Sequence, residues 1–121
     1  MYVVNRTRGT YLGVAIKMAN SLWTRLRGLY ARREIRYGDG LWLVPCDSIQ
    51  TVGLRFAIDV VFLDGHSRVV KVAENVPPGR FVWCLGRAHS ALEVPAGVIR
   101  SSETQVGDRV EFVTEVGVEV S

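Results

Sequence analysis

Apolar and polar positions alternate along much of this chain, which predicts short β-strands joined by tight turns. Tyr2-Val3-Val4 and Tyr11 to Met18 read as two strands, with Asn5-Arg6-Thr7-Arg8-Gly9 turning between them. In the second, Leu12, Val14, Ile16 and Met18 fall on every other position, so their side chains are expected to face the core. Asn20 or Ser21 then offers a helix cap. Leu22, Trp23, Leu26, Leu29 and Tyr30 follow at helical spacing, predicting one short helix from Leu22 to Tyr30 that Gly28 weakens or ends.

Two runs are too uniformly apolar for one-sided surface strands. Leu41 to Val44 is expected to be buried on both faces, and Ile58 to Leu63 to form a second central strand. Residues 46–56 between them have no clean period and read as a loop or irregular strand. Asp64-Gly65-His66-Ser67 makes a hairpin turn into Arg68 to Ala73. Arg80 to Leu85, Ser90 to Val94 and Arg109 to Val113 read as further strands. Pro95-Ala96-Gly97 is a turn, and Val98 to Gln105 a loop or a single helical turn. The tail from Glu115 to Val120 alternates, and either pairs or frays. About eight short strands and one helix predict a mostly β single domain, residues 1–121, built as a β-sandwich or partly closed barrel.

Composition narrows the class. A chain of 121 residues with 48% hydrophobic positions can bury a core without staples. The N-terminal stretch has no signal-peptide pattern and no run is long enough to span a bilayer, so a cytoplasmic, membrane-free location is the expectation. Cys46 and Cys84 are then expected as free thiols. The net charge of +3 is unevenly spread. Residues 1–37 hold eight basic side chains against one acidic, a net of +7; the remainder holds seven against eleven, a net of −4. Such a split marks either a solvated face or an anionic partner.

Chemistry-bearing residues concentrate between the two apolar runs. Asp59 lies inside a strand that reads as buried, where a carboxylate must be paired or hydrogen-bonded. It is either a brace, to Arg55 or to backbone amides of the 46–56 loop, or the floor of a cleft rimmed by Gln50, Thr51 and Arg55. Glu93, between Leu92 and Val94, points outward from its strand or reaches the same cleft. Asp64 and Asp108 each adjoin a glycine and read as turn residues. Cys46 would need a base to act as a nucleophile, and His66 and His89 are both remote from it in sequence. The scattered His and Cys residues have no metal-ligand spacing, so neither metal nor cofactor is expected. Arg25, Arg27, Arg32 and Arg33 form a candidate polyanion surface, although Trp23 and Tyr30 beside them fall on the apolar stripe.

Several motifs occur in a fixed order: Arg25-Leu26-Arg27-Gly28-Leu29, Gly40 to Cys46, Ile58 to Asp64, Leu92-Glu93-Val94-Pro95-Ala96-Gly97, and Gly107-Asp108. Over residues 19–113 the set resembles the bacterial and archaeal domain-of-unknown-function family numbered 192. That resemblance implies a compact β-sandwich of jelly-roll-like topology with a short early helix, and implies no activity. The family pattern of His-Thr, then Met, then Pro-Ile-Asp is replaced here by Gln50-Thr51, Leu54 and Ala57-Ile58-Asp59. Gln50 neither titrates nor binds transition metals well, which counts against histidine-dependent chemistry. The expected function is a non-catalytic module binding a small ligand, anionic for instance, or a protein at a cleft of the 46–59 loop and strand. The alternatives are an enzyme using Asp59 as acid or base with Arg55 holding an anionic substrate, and a nucleic-acid or polyanion binder using the early arginines.

Overall fold

The computed structural model describes residues 1–19 and 33–114. In chain order the strands are β1 (Tyr2–Asn5), β2 (Thr10–Gly13), β3 (Ala15–Ala19), β4 (Asp39–Leu43) and β5 (Ser48–Gln50). They continue with β6 (Ile58–Leu63), β7 (Val69–Val76), β8 (Phe81–Trp83) and β9 (Ser90–Pro95). A single-turn helix, α1 (Val98–Ser102), precedes β10 (Val110–Val113). The protein is a single small, mostly β domain. Its described strands form three sheets, ordered β10-β1-β2, β3-β4-β9-β6-β7 and β5-β8, and no closed barrel. Only β3 against β4 is parallel; every other named pair is antiparallel.

The five-stranded sheet is the middle layer, and this explains why β6 and β9 are buried along their whole length. Strand side chains alternate, so β6 serves two cores. Ile58, Val60 and Phe62 join Leu41, Leu43, Ile49, Leu54 and Val76 on one side. Val61 and Leu63 join Val3, Leu12, Val98, Ile99 and Val110 on the other. The three-stranded sheet and α1 therefore close one face, while the β5–β8 ribbon and its loops close the opposite one. Fully burying each such aliphatic or aromatic side chain stabilises the fold by roughly 1.5–3 kcal/mol.

The structure departs from the sequence pattern at two places. Tyr11 to Met18 is not one strand: it breaks at Val14, where the chain leaves one sheet for the next. The amides of Val14 and Ala15 both donate to the Gly38 carbonyl at 2.8 Å, which fixes the corner. Leu12 and Ile16 face inward as expected, but Val14 and Met18 are each 46% exposed, at the corner and on an edge strand. Trp42 in β4 is only half-buried; its ring stacks on Phe112 of β10, centroids 3.7 Å apart. The helix expected over Leu22–Tyr30 and the strand expected in the tail lie outside the described residues, as do Arg25, Arg27 and Arg32.

Candidate functional site

Asp59 is fully buried, and both of its carboxylate oxygens are engaged. Oδ1 accepts the Asn75 amide at 2.7 Å. Oδ2 accepts the amides of Gly97 at 3.0 Å and Ile99 at 2.9 Å. The brace is thus neither to Arg55 nor to the 46–56 loop. Asp59 is paired with Val94 in the β6–β9 ladder and shares the face of Val61 and Leu63, the side on which α1 packs. There it caps a helix whose own N-cap, Gly97, has no side chain to do so. It also holds the backbone of Asn75, which has φ 52°, where the β6–β7 register shifts.

The other expected cleft residues lie apart from it. Glu93 is buried and sits opposite Val60 and Leu41, on the sheet face that Asp59 does not use. It is not outward-facing, because β9 is a central strand covered on both sides. Thr51 is fully buried and tied to the 77–80 turn: its hydroxyl donates to the Pro77 carbonyl at 2.7 Å and accepts the Arg80 amide at 2.8 Å. Gln50 Oε1 accepts the Val52 amide at 2.7 Å. Arg55 and Arg33 are exposed. Asp59 and Glu93 therefore do not share one cleft, because the sheet itself separates them: Asp59 is on the helix side and Glu93 on the side that the β5–β8 ribbon covers.

A pocket does form at the start of the same loop. Pro45, Cys46, Asp47, Ser48, Ala88 and His89 line a volume of about 300 Å³. Backbone bonds continue the β5–β8 ladder into its wall: the Cys84 amide donates to the Asp47 carbonyl at 2.8 Å, and the Cys46 amide to the His89 carbonyl at 2.9 Å. The His89 amide in turn donates to Leu63 at 2.7 Å, anchoring that wall to the end of β6. The Cys46 thiol donates to the Ser48 carbonyl at 3.0 Å, and both Cys46 and Cys84 are buried thiols. Sequence distance had set His89 apart from Cys46, whereas the antiparallel return of β8 brings His89 to the same pocket. Among the described residues no group of three His, Cys, Asp or Glu side chains is placed to hold a metal.

Asp108 is a second buried hub rather than a simple turn residue. Its carboxylate accepts Asn5 Nδ2 at 3.0 Å, the Gln105 amide at 2.9 Å, and Arg8 through Nε at 3.0 Å and Nη2 at 3.2 Å. Burial alone would raise its pKa, but the hydrogen bonds from Arg8, Asn5 and the Gln105 amide outweigh burial and hold it below the usual carboxylate range. Asn5 completes the network by donating to Thr104 at 3.0 Å, and Thr104 meets the Ser102 hydroxyl at 2.7 Å. The pairing of β1 with β10 brings these distant residues together, so nothing local in the sequence announced them.

The molecule is thus a small stacked-sheet domain in which, among the described residues, Asp59 and Asp108 are buried carboxylate hubs and residues 45–48 and 88–89 line a polar pocket. It belongs to domain-of-unknown-function family 192, described as "Uncharacterized ACR", whose pattern matches residues 3–112. An uncharacterised UPF0127 protein of Thermococcus sibiricus is 29% identical over 118 residues, covering 93% of this chain and 75% of that protein. One from Pyrococcus furiosus is 30% identical over 115 residues, covering 91% of this chain and 97% of that one. The fold is also similar to a crystal structure of a protein of unknown function from Novosphingobium aromaticivorans. That likeness has a TM-score of 0.78 at 21% identity, over 92% of this chain and 82% of the other. Among the described residues no helix is long and apolar enough to cross a membrane.

Proposed function

We propose that this protein is a non-catalytic binding module, and that its seat is the pocket between residues 45–48 and 88–89. The observation that carries this reading is the gathering of Cys46, Asp47, Ser48 and His89 around one cavity of about 300 Å³. Small-molecule sites begin at roughly this size and combine a few fixed polar groups with an apolar floor. Here the walls are pinned to strands by backbone hydrogen bonds, so little ordering accompanies binding. The ligand that fits is a small polar molecule presenting a hydrogen-bond donor to the Asp47 carboxylate. Asp59 weighs against the acid–base alternative, since both its oxygens are already held by backbone amides.

The reading is tested by amide chemical shifts under a broad panel of small metabolites. A true ligand perturbs the amides of residues 46–48 and 88–89 first. At a hundred times its dissociation constant it stabilises the protein by about 2.7 kcal/mol. Asp47→Asn and His89→Ala are expected to weaken that ligand while leaving the fold intact. A ligand bound equally well by both variants sinks the assignment, and so does a panel in which no compound moves those amides.

A further inference from the structure

A different surface carries an unassigned feature. Phe81 and Trp83 stand two residues apart on β8, so both rings leave the same face of the β5–β8 ribbon. They are 63% and 54% exposed, with centroids 6.4 Å apart and planes tilted by 44°. Val82 between them turns inward to the core. Leu85 and Val52, 66% and 54% exposed, are the next large apolar side chains along the two connected turns. Monomeric domains seldom leave such a cluster open without a use for it.

The charge around the cluster is basic. Exposed Arg80 precedes Phe81, and exposed Arg87 follows in the turn after β8. Exposed Arg55 belongs to the loop whose Thr51 is bonded to the backbone of Arg80. Lys71 donates its ammonium to the Trp83 carbonyl at 2.8 Å and so lies against the ribbon. Two acidic residues belong to the adjoining segments: half-buried Asp47, whose backbone carbonyl receives the Cys84 amide, and exposed Glu74, three residues beyond Lys71 on β7.

We propose that this ribbon face binds single-stranded nucleic acid. Aromatic rings set side by side on an open sheet face offer stacking surfaces to successive bases, and arginines beyond each end meet the phosphates. The tilt between the rings gives each base its own platform. A duplex hides its base faces and would use only the arginines. A lipid surface favours aromatics at a protruding tip, whereas these two sit within a paired strand. Neither ring lines the pocket of residues 45–48 and 88–89, but Trp83 pairs with its Ser48, so Phe81, opposite Gln50, is the ring whose loss separates the two sites.

The test is fluorescence anisotropy with labelled oligo(dT) and oligo(rU) of about 12 nucleotides, a length suited to one small domain. Binding is read at about 50 mM and 200 mM salt, where phosphate contacts separate clearly. Phe81→Ala and Trp83→Ala are each expected to weaken binding by roughly tenfold. Arg80→Gln and Arg87→Gln are each expected to flatten the log–log salt slope by roughly 0.7. All four side chains are exposed, so melting temperatures should stay near wild type and confirm that the variants fold. No oligonucleotide binding at the lower salt overturns the proposal. So does a duplex bound as tightly as the single strand, binding indifferent to the loss of either ring, or uptake by phosphatidylserine vesicles without uptake of the oligonucleotide.

Discussion

Replacing Asp59 with asparagine should be costly although the side chain keeps its shape. The carboxylate receives one amide on Oδ1 and two on Oδ2. Asparagine has one acceptor oxygen, and its NH₂ must face the other donors. In the better orientation the oxygen keeps Gly97 and Ile99, and the NH₂ opposes the Asn75 amide. Two donors, the part-buried Asn75 amide and the buried new NH₂, then face each other without an acceptor, at about 1–3 kcal/mol, and two bonds fall from charge-assisted to neutral strength. The sum is about 2–4 kcal/mol, a large share of the 5–15 kcal/mol that holds a typical domain together. With a urea dependence of about 2 kcal/mol/M, the unfolding midpoint should fall by about 1–2 M at unchanged slope. Native-state hydrogen exchange gives the local readout: the amides of Asn75, Gly97 and Ile99 should lose protection beyond the global change. A midpoint lowered by less than about 0.3 M would refute the reasoning, because the three bonds would then carry too little free energy. Unchanged exchange at those amides would refute it separately.

Other perturbations follow from the same geometry. Asp108 has a lowered folded pKa, so its network contributes stability fully above the unfolded value of about 3.9 and loses it as pH falls through the folded one. The melting gap between wild type and Asp108→Asn should therefore be widest near neutral pH and close in acid; a gap that widens in acid contradicts the assignment. Gly40→Ala would place its Cβ 2.5 Å from the Glu93 carbonyl oxygen and 2.7 Å from Ile16 Cδ1. The carbonyl cannot yield, so a loss of about 1–3 kcal/mol is expected, against less than about 0.5 kcal/mol for Gly65→Ala, which meets nothing within 4 Å. Cys46 and Cys84 are 8% and 7% exposed, so a thiol reagent should label both far more slowly in buffer than in denaturant. Fast labelling of either in buffer would show that its cover opens readily.

Much of the strand order was legible because periodicity is a local signal. The apolar runs became β4 and β6, and the Asp64–Ser67 turn joined β6 to β7 as expected. Asp59 was legible as a buried carboxylate needing partners, since its neighbours Ile58 and Val60 are plainly core residues. Its partners were not legible. Asn75, Gly97 and Ile99 lie 16, 38 and 40 residues away and contribute only backbone amides, which carry no residue signature. The break at Val14 was hidden for a related reason: alternation continues through it, and the sheet switch depends on the remote Gly38 carbonyl. His89 joined Cys46 only once the β5–β8 pairing was known.

The period of two that makes β6 central also divides the molecule by task. Asp59, Val61 and Leu63 face α1 and the three-stranded sheet. The Asn5–Asp108–Thr104 network, close to that sheet and helix, has its polar groups paired among themselves. Ile58, Val60 and Phe62 face the ribbon side, and there Phe81, Trp83, Leu85, Arg55, Arg80 and Arg87 are left to solvent. Groups already satisfied inside the fold have little left to offer a partner, whereas exposed rings and guanidinium groups have nearly all of theirs. Substitutions should therefore separate by face. Those at Asp59 and Asp108 should register in unfolding midpoints, and those at Asp47, His89, Phe81 and Trp83 in binding with midpoints nearly unchanged. A binding defect at Asp59 without a stability defect would break this division and return that carboxylate to the candidate site.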